Sequence, residues 1–345
     1  MGKDLRALVQ KIGGGASGSL RRNLSREEAR AAFESLLSGD GTDAQVAAFF
    51  AALRAKGATA DELTGSTEAA RARLSFPALP APAVVLGTSR MGKFHTPPLG
   101  LAAAAAAAAC GTPVLVLAAP SARGAGITLG DLWVHMVGSP CSDPGSAERL
   151  LQQRGLACWE PTLADPGWPR LLRIEEEIGL RSLPDIVIKL LAPPGCRLMV
   201  AAMAGPVLGT AGEALTSLGC REGVIVQGIE GSTDPSVRVH TRGLLIEGGS
   251  TYPLRVVPAD FALECDAEPS YPHEDRLEAA VGATLQALLG MPGPVTYATL
   301  LSAALMLRLS GRARDLAAAV ALAKDALESG AAQRVLDGVR AAARQ

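Results

Sequence analysis

The alternation of apolar and polar positions is clearest between Ala83 and Arg123. An unbroken apolar run, Ala83 to Leu86, leads into a glycine-containing loop from Gly87 to Gly100. An alanine-rich segment from Leu101 to Cys110, a Gly-Thr-Pro break and a second apolar run, Val114 to Leu117, follow. Short apolar runs bounded by turn residues read as strands buried on both faces, and the alanine segment as a core helix, so the stretch predicts a βαβ unit. Upstream, residues 1 to about 75 read as helical. Lys3 to Ile12 is amphipathic and stopped by Gly13, Gly14 and Gly15. Ser25 with Glu28, Thr42 with Gln45 and Thr59 with Glu62 then form capping boxes, opening helices that end near Gly39, Gly57 and Leu74. Phe76 to Pro82, rich in proline, is a connector.

Downstream, strand-like and helix-like segments alternate. Ser146 to Gln153 and Leu171 to Ile178 predict helices, Cys196 to Ala202 a strand, Pro206 to Leu218 a helix and Gly223 to Gln227 a strand. Val237 to His240, Leu244 to Glu247 and Leu254 to Val257 predict shorter strands. Leu277 to Leu289, Tyr297 to Leu309 and Leu316 to Ser329 predict helices, the last closed by Gly330. Such alternation predicts an α/β fold with a parallel or mixed sheet covered by helices, and 345 residues suffice for a second, smaller domain.

A strand that ends in a glycine-containing loop and feeds a helix aims backbone N–H groups and the positive end of a helix dipole at one spot. Arg90 and Lys93 in that loop suit a phosphate. The competing reading is a tight turn whose glycines only let strand and helix pack. Gly87 to Gly92 has neither GxGxxG spacing nor a GK[ST] ending, so neither nucleotide fingerprint applies. The formal net charge of −1 offers no bulk attraction to nucleic acid or membrane, so any anion site is local. The cysteines, Cys110, Cys141, Cys158, Cys196, Cys220 and Cys265, are scattered and form no cluster with His95, His135, His240 or His273. That pattern fits reduced thiols in the cytoplasm and argues against structural zinc. The charged N-terminal stretch lacks the apolar run of a signal peptide. Pro98 to Ala119, cut by Gly111 and Pro113, reads as core rather than as a membrane span.

Several stretches together carry a family likeness. Residues 24–65, Gly145 to Gly155 (GSAERLLQQRG), Gly179 to Ser182 (GLRS), Val256 to Leu263 (VVPADFAL) and the segments from Gly293 to Leu305 and Leu322 to Gly330 resemble the anthranilate phosphoribosyltransferase family, a group of glycosyltransferases. The resemblance implies a small helical domain, residues 1–75 completed by about 165–193. It implies a large α/β domain over 82–164 and 195–345 with a mixed, mainly parallel sheet, and substrates between the two. It also implies phosphoribosyl pyrophosphate as a ligand, with Mg²⁺ if the protein is active, and an anion-facing role for Arg181.

The likeness breaks where the family's chemistry lies. The family loop Gly-Thr-Gly-Gly-Asp-Gly corresponds to Gly87, Thr88, Ser89, Arg90, Met91 and Gly92, and the magnesium-holding hydroxyl falls near Leu99 or Gly100. The Lys-His-Gly-Asn-Arg motif corresponds to Val116 to Pro120 and is absent, with Arg123 a few residues on. In the acidic motif Gly228, Glu230, Gly231 and Asp234 fit, but Thr233 replaces an acid. Magnesium wants oxygen ligands including carboxylates, and losing one charge-stabilising donor typically costs ~10²- to 10³-fold in rate. The expected ligand-binding residues are therefore Gly87, Thr88, Arg90, Gly92, Lys93, Thr96, Arg123 and Arg181, with Glu230 and Asp234 the metal candidates. His95 to Gly100 and Gln227 to Ser232 are similar to the YbiB-like paralogues, a likeness that implies nucleic-acid binding and a homodimer through the helical domain. Lys3, Arg6, Lys11, Arg21, Arg22 and Arg26 form a candidate basic stripe there, and Arg90, Lys93 and Arg123 a second in the cleft. Two functions stay open: a degenerate family member holding a phosphate-bearing ligand or nucleic acid, and an active transferase with an aromatic or nucleobase acceptor.

Overall fold

The computed structural model describes residues 5–14, 22–270 and 275–343. Lys3, Gly15, Arg21 and His273 lie outside them. The chain opens with α1 (Leu5–Gly13), α2 (Arg26–Leu37), α3 (Asp43–Lys56) and α4 (Ala60–Arg71). Ser25, Thr42 and Thr59 each cap the following helix through a complete capping box, so the spacing from hydroxyl to glutamate or glutamine marks all three starts. There follow β1 (Val84–Gly87), α5 (Gly100–Ala109), β2 (Val114–Leu117), α6 (Leu129–Met136), α7 (Pro144–Arg154), β3 (Leu156–Trp159), α8 (Trp168–Ile178), α9 (Leu183–Ile188), β4 (Arg197–Ala201), α10 (Leu208–Ser217) and β5 (Gly223–Gln227). The hairpin β6 (Thr241–Glu247) and β7 (Ser250–Val256) precedes α11 (Arg276–Leu288), α12 (Pro294–Leu309), α13 (Leu316–Glu328) and α14 (Ala331–Ala342).

The strands form one sheet in the order β3-β2-β1-β4-β5-β6-β7. Strands β1 to β5 are parallel, and β6 and β7 are added antiparallel. The chain runs outward from β1 to β3 and then returns to place β4 on the other side of β1. The loops leaving the carboxyl ends of β1 and β4 therefore part in opposite directions, and a crevice opens between them.

One apolar cluster fills the space between one sheet face and α5, α11, α12, α13 and α14. The alanines of α5 are buried there, their small side chains admitting the sheet and α12 closely. A second cluster joins Leu8, Phe33, Phe49 and Phe50 of the first helices to Trp168, Leu171 and Val187 of α8 and α9, making a small helical domain from two separated parts of the chain. A third lies under α7 and α10 on the opposite sheet face. The molecule is thus a small helical domain on a large α/β domain. Among the described residues no helix is long and apolar enough to cross a membrane.

The strand expected over Val237 to His240 is instead a bend. The Ser236 hydroxyl accepts from the N–H of Arg238 and Val239, and these local bonds replace a ladder. Four elements lie outside the expectation. Strand β3 starts directly after Gly155 with no turn spacer, α6 and α9 are short, and Gly330 both closes α13 and opens α14.

Candidate functional site

The crevice is built first by glycines. A Cβ on Gly87, the last residue of β1, would stand 2.4 Å from the carbonyl of Lys189 and 2.8 Å from Val200 Cγ1, so the end of α9 rests on the strand end. Gly92 has φ +61 and its Cβ would meet the Gly126 carbonyl at 2.3 Å. Just beyond it Lys93 and Ile127 exchange backbone hydrogen bonds of 3.0 and 2.9 Å. These two glycines serve close packing.

The first half of the loop turns towards the helical domain. The Ser89 hydroxyl and the Arg90 N–H donate to Asp185 Oδ1 at 2.9 and 3.0 Å. The Arg90 guanidinium donates to Glu175 Oε2 at 2.9 Å, Glu176 Oε1 at 2.7 Å and the Pro120 carbonyl at 3.0 Å, and the residue is 2% exposed. Arg90, expected to face a phosphate, is instead an interdomain tie and does not line the crevice. Its carboxylate partners were readable in part. Glu175 follows Leu171 by four residues and so sits on the apolar stripe of α8, where a carboxylate needs a partner. Burial, reinforced by Asp185, raises its pKa against the opposing pull of Ser182 and Arg90.

Asp185 is the hub of this half. It also accepts from Arg181 Nε at 2.7 Å, and Lys189 Nζ stands 3.8 Å away. Burial pushes its pKa up, but Lys189, Arg181 and the Ser89 hydroxyl outweigh that and hold it below the usual carboxylate range. Burial, with Arg181 adding to it, lowers Lys189 to about 8.

The second half of the loop turns towards the segment after β5. Lys93 Nζ donates to Asp234 Oδ2 at 2.7 Å and to the Pro97 carbonyl at 3.0 Å, with both charged side chains buried. Asp234 Oδ2 also accepts from Leu99 N–H at 3.2 Å, whereas its Oδ1 is buried without a hydrogen-bond partner. Glu230 accepts from the N–H groups of Phe94 (2.8 Å), His95 (3.2 Å) and Thr96 (2.8 Å) and from the Thr96 hydroxyl (2.7 Å).

The crevice between these parts, about 500 Å³ counted out to solvent, brings together Gly87, Thr88, Gly92, Lys93, Arg181, Glu230 and Asp234 of the expected residues. Thr88 donates its hydroxyl to the Leu117 carbonyl at 2.8 Å. Thr96 lies behind Glu230, and Arg123 is exposed on a loop that does not line the crevice. Ser89, Thr128 and Ser232 add hydroxyl groups that loop sequence alone did not single out, beside that of Thr233.

Four residues of the proposed basic patches pair with acids. Arg90 and Lys93 pair with buried acids, Lys11 pairs with Glu28 at 2.5 Å, and Arg26 pairs with Glu68. The acids do not fit magnesium. Both Glu230 oxygens hold loop donors, Asp234 Oδ2 holds an ammonium, and Thr233 stands where the likeness needs an acid and Leu99 or Gly100 where it needs a hydroxyl. Among the described residues no group of three or more metal-binding side chains assembles.

Comparison with known proteins covers both parts of the molecule. The helical bundle domain of the glycosyl transferase family matches residues 6–74, and its a/b domain matches residues 94–333, with β1 and the first half of the loop that follows it between the two. The chain is 30% identical over 335 residues to an anthranilate phosphoribosyltransferase of Bradyrhizobium sp., covering 95% of this chain and 96% of that protein. It is 32% identical over 340 residues to one of Methylobacterium radiotolerans, covering 95% and 93%. The anthranilate phosphoribosyltransferase structure from Thermus thermophilus superposes with a TM-score of 0.78 at 23% identity, covering 98% and 99% of the two chains. The Saccharomyces cerevisiae enzyme in complex with PRPP and Mg gives 0.78 at 18% identity, covering 99% and 98%. With both domain models and full-length relatives in agreement, the chain belongs to the glycosyl transferase family that includes the anthranilate phosphoribosyltransferases.

Proposed function

We propose that this protein holds a phosphate-bearing small molecule of the phosphoribosyl pyrophosphate type in the crevice between β1 and β4, and that it does not transfer phosphoribose to anthranilate. The observation that carries the reading is the buried Lys93–Asp234 pair: an ammonium sits on the acid that the family likeness would give to a divalent cation. A lysine is a fixed single charge with no open coordination position, so it orients an anion but cannot draw two phosphate oxygens and a leaving group around one centre. Arg181, whose side chain is 19% exposed and lines the crevice, is the second positive handle. Nucleic acid is less well supported, because affinity for a polyanion grows with the number of cations that release its counterions, and Lys11, Arg26, Arg90 and Lys93 among the candidates are paired with acids. The names of the curated relatives favour the active reading, so the test addresses both.

Titration calorimetry with phosphoribosyl pyrophosphate, with and without Mg²⁺, and anthranilate fluorescence in the same mixtures separate the readings. Binding that is indifferent to Mg²⁺, unaltered anthranilate, and at least about tenfold weaker binding by Lys93→Met and by Arg181→Met are expected. Arg181 is partly exposed, so that variant keeps the test valid should Lys93→Met fold poorly. Consumption of anthranilate that needs Mg²⁺ overturns the proposal.

A further inference from the structure

The face of the sheet that carries α10 is covered unevenly. Over the inner rows α10 lies directly on the hairpin: a Cβ on Gly212 would stand 3.0 Å from Leu244 Cδ1 and 3.2 Å from Thr251 Cγ2. The last row of the same face, at the carboxyl end of β5, runs Gln227, Arg242, Arg255, because Gln227 is in register with Arg242 and Arg242 with Arg255. Residues directly opposite on antiparallel strands share a face. Gln227 is tied down, its side-chain amide donating to the Met203 and Gly205 carbonyls at 2.8 and 3.0 Å. Both arginines are exposed.

Like charges directly opposite across a ladder work against the pairing of their strands. At the far end of β6 the charge is matched, with Arg308 donating to Glu247 at 2.8 Å. Among the described residues, by contrast, neither Arg242 nor Arg255 makes a hydrogen bond or an ion pair through its side chain. The fold supplies no acid to offset this repulsion, and an acid from outside would. Beside the row, the loop that Gln227 holds exposes Met203 (43%) and Val207 (40%). Arginine and methionine are enriched where proteins meet, whereas affinity for a nucleic acid grows with a long track of cations. Two guanidiniums with apolar neighbours therefore suit a protein segment that carries carboxylates better than they suit a polyanion.

We propose that Arg242 and Arg255, with Met203 and Val207 beside them, form a docking surface for an acidic segment of a partner protein. Carboxylates of the segment pair with the two guanidiniums, and its apolar side chains cover the loop after β4. Docking then removes a repulsion that the free protein carries, and the charge pattern sets which segments are accepted. Neither arginine lines the crevice, so this surface stands apart from the ligand proposed above.

The probe is a short fluorescent peptide of alternating Glu and Leu, followed by anisotropy, with a Lys and Leu counterpart and an oligothymidine of matching length as controls. The acidic peptide is expected to bind the wild type and the basic one not to. Arg242→Ser and Arg255→Ser should each weaken binding at least about threefold, and the double variant at least about tenfold. Arg255→Glu sets an opposite charge across from Arg242, so it should abolish peptide binding while raising the urea midpoint, a combination that a purely structural arginine would not give. Peptide affinity unchanged within about twofold in the double variant overturns the proposal. So does an oligothymidine that binds more tightly than the peptide with the same dependence on the two arginines, which would mark a surface for polyanions. A lower urea midpoint for Arg255→Glu also overturns it, because the arginines would then be supporting the hairpin.

Discussion

The two halves of the loop after β1 begin from similar residues and end in different roles. Arg90 and Lys93 are three positions apart, both cationic, both buried and both paired with acids. Arg90 reaches out of the large domain and joins the two neighbouring glutamates of α8, so its charge is structural. Lys93 stays within the large domain, and its partner Asp234 keeps one unpartnered oxygen at the crevice. The difference teaches that cation content in a loop does not measure its affinity for anions. What counts is which acids the fold delivers to each cation, and how completely.

Breaking the structural half should have the largest effect. Arg90→Met leaves Glu175 buried without its cation, and removing one partner of a buried pair typically costs about 3–5 kcal/mol. Urea unfolding is the measurement, and a loss below about 1 kcal/mol would show that Arg90 is not the tie described.

The hub behind that half sharpens the comparison through pH. The Lys189 pKa falls from its ordinary 10.5 to about 8 in the folded protein. Below about 8 both folded and unfolded chains carry the proton, and the folded state bears the full penalty of a buried charge. Between 8 and 10.5 the unfolded chain holds more protons, so stability rises with pH across that window. The stability difference between the wild type and Lys189→Met should therefore shift in favour of the wild type by up to roughly 3 kcal/mol from pH 8 to pH 10.5. A difference that stays flat across the window contradicts the burial assigned to Lys189.

The smallest effect is expected away from the loop. Thr42→Ala removes the hydroxyl that accepts from Gln45 N–H at the start of α3, a solvent-exposed cap worth about 1 kcal/mol. Thermal melts should show that loss, and the affinity for phosphoribosyl pyrophosphate, read by calorimetry, should match the wild type. A change in affinity would mean that the helical domain and the crevice are more tightly coupled than the interdomain contacts indicate.

Much of the fold was legible. A hydroxyl three residues before Glu or Gln marked every helix start in α2 to α4, because a free helix N-terminus needs those acceptors wherever it lies. The β1-α5-β2 unit was readable from two apolar runs around a run of alanines, since a strand buried on both faces can carry no polar position. Elements defined by their partners were not. Strand β3 is four residues with no alternation, and Val237 to His240 has strand composition but sits on a serine turn. Within the site, Lys93 was expected from its residue type to face a phosphate and Asp234 from the family likeness to hold a metal, while their pairing with each other and the use of Arg90 across the domain boundary were not expected.

The sequence by itself determined the helix starts and the parallel core, because these depend on local spacing and on residue identity. Only the tertiary structure decided where each charge is spent. Arg90 and Glu175 are 85 residues apart, and Lys93 and Asp234 are 141 apart. The energy of a buried charge depends on the partner within a few ångströms, and a linear pattern does not carry that distance.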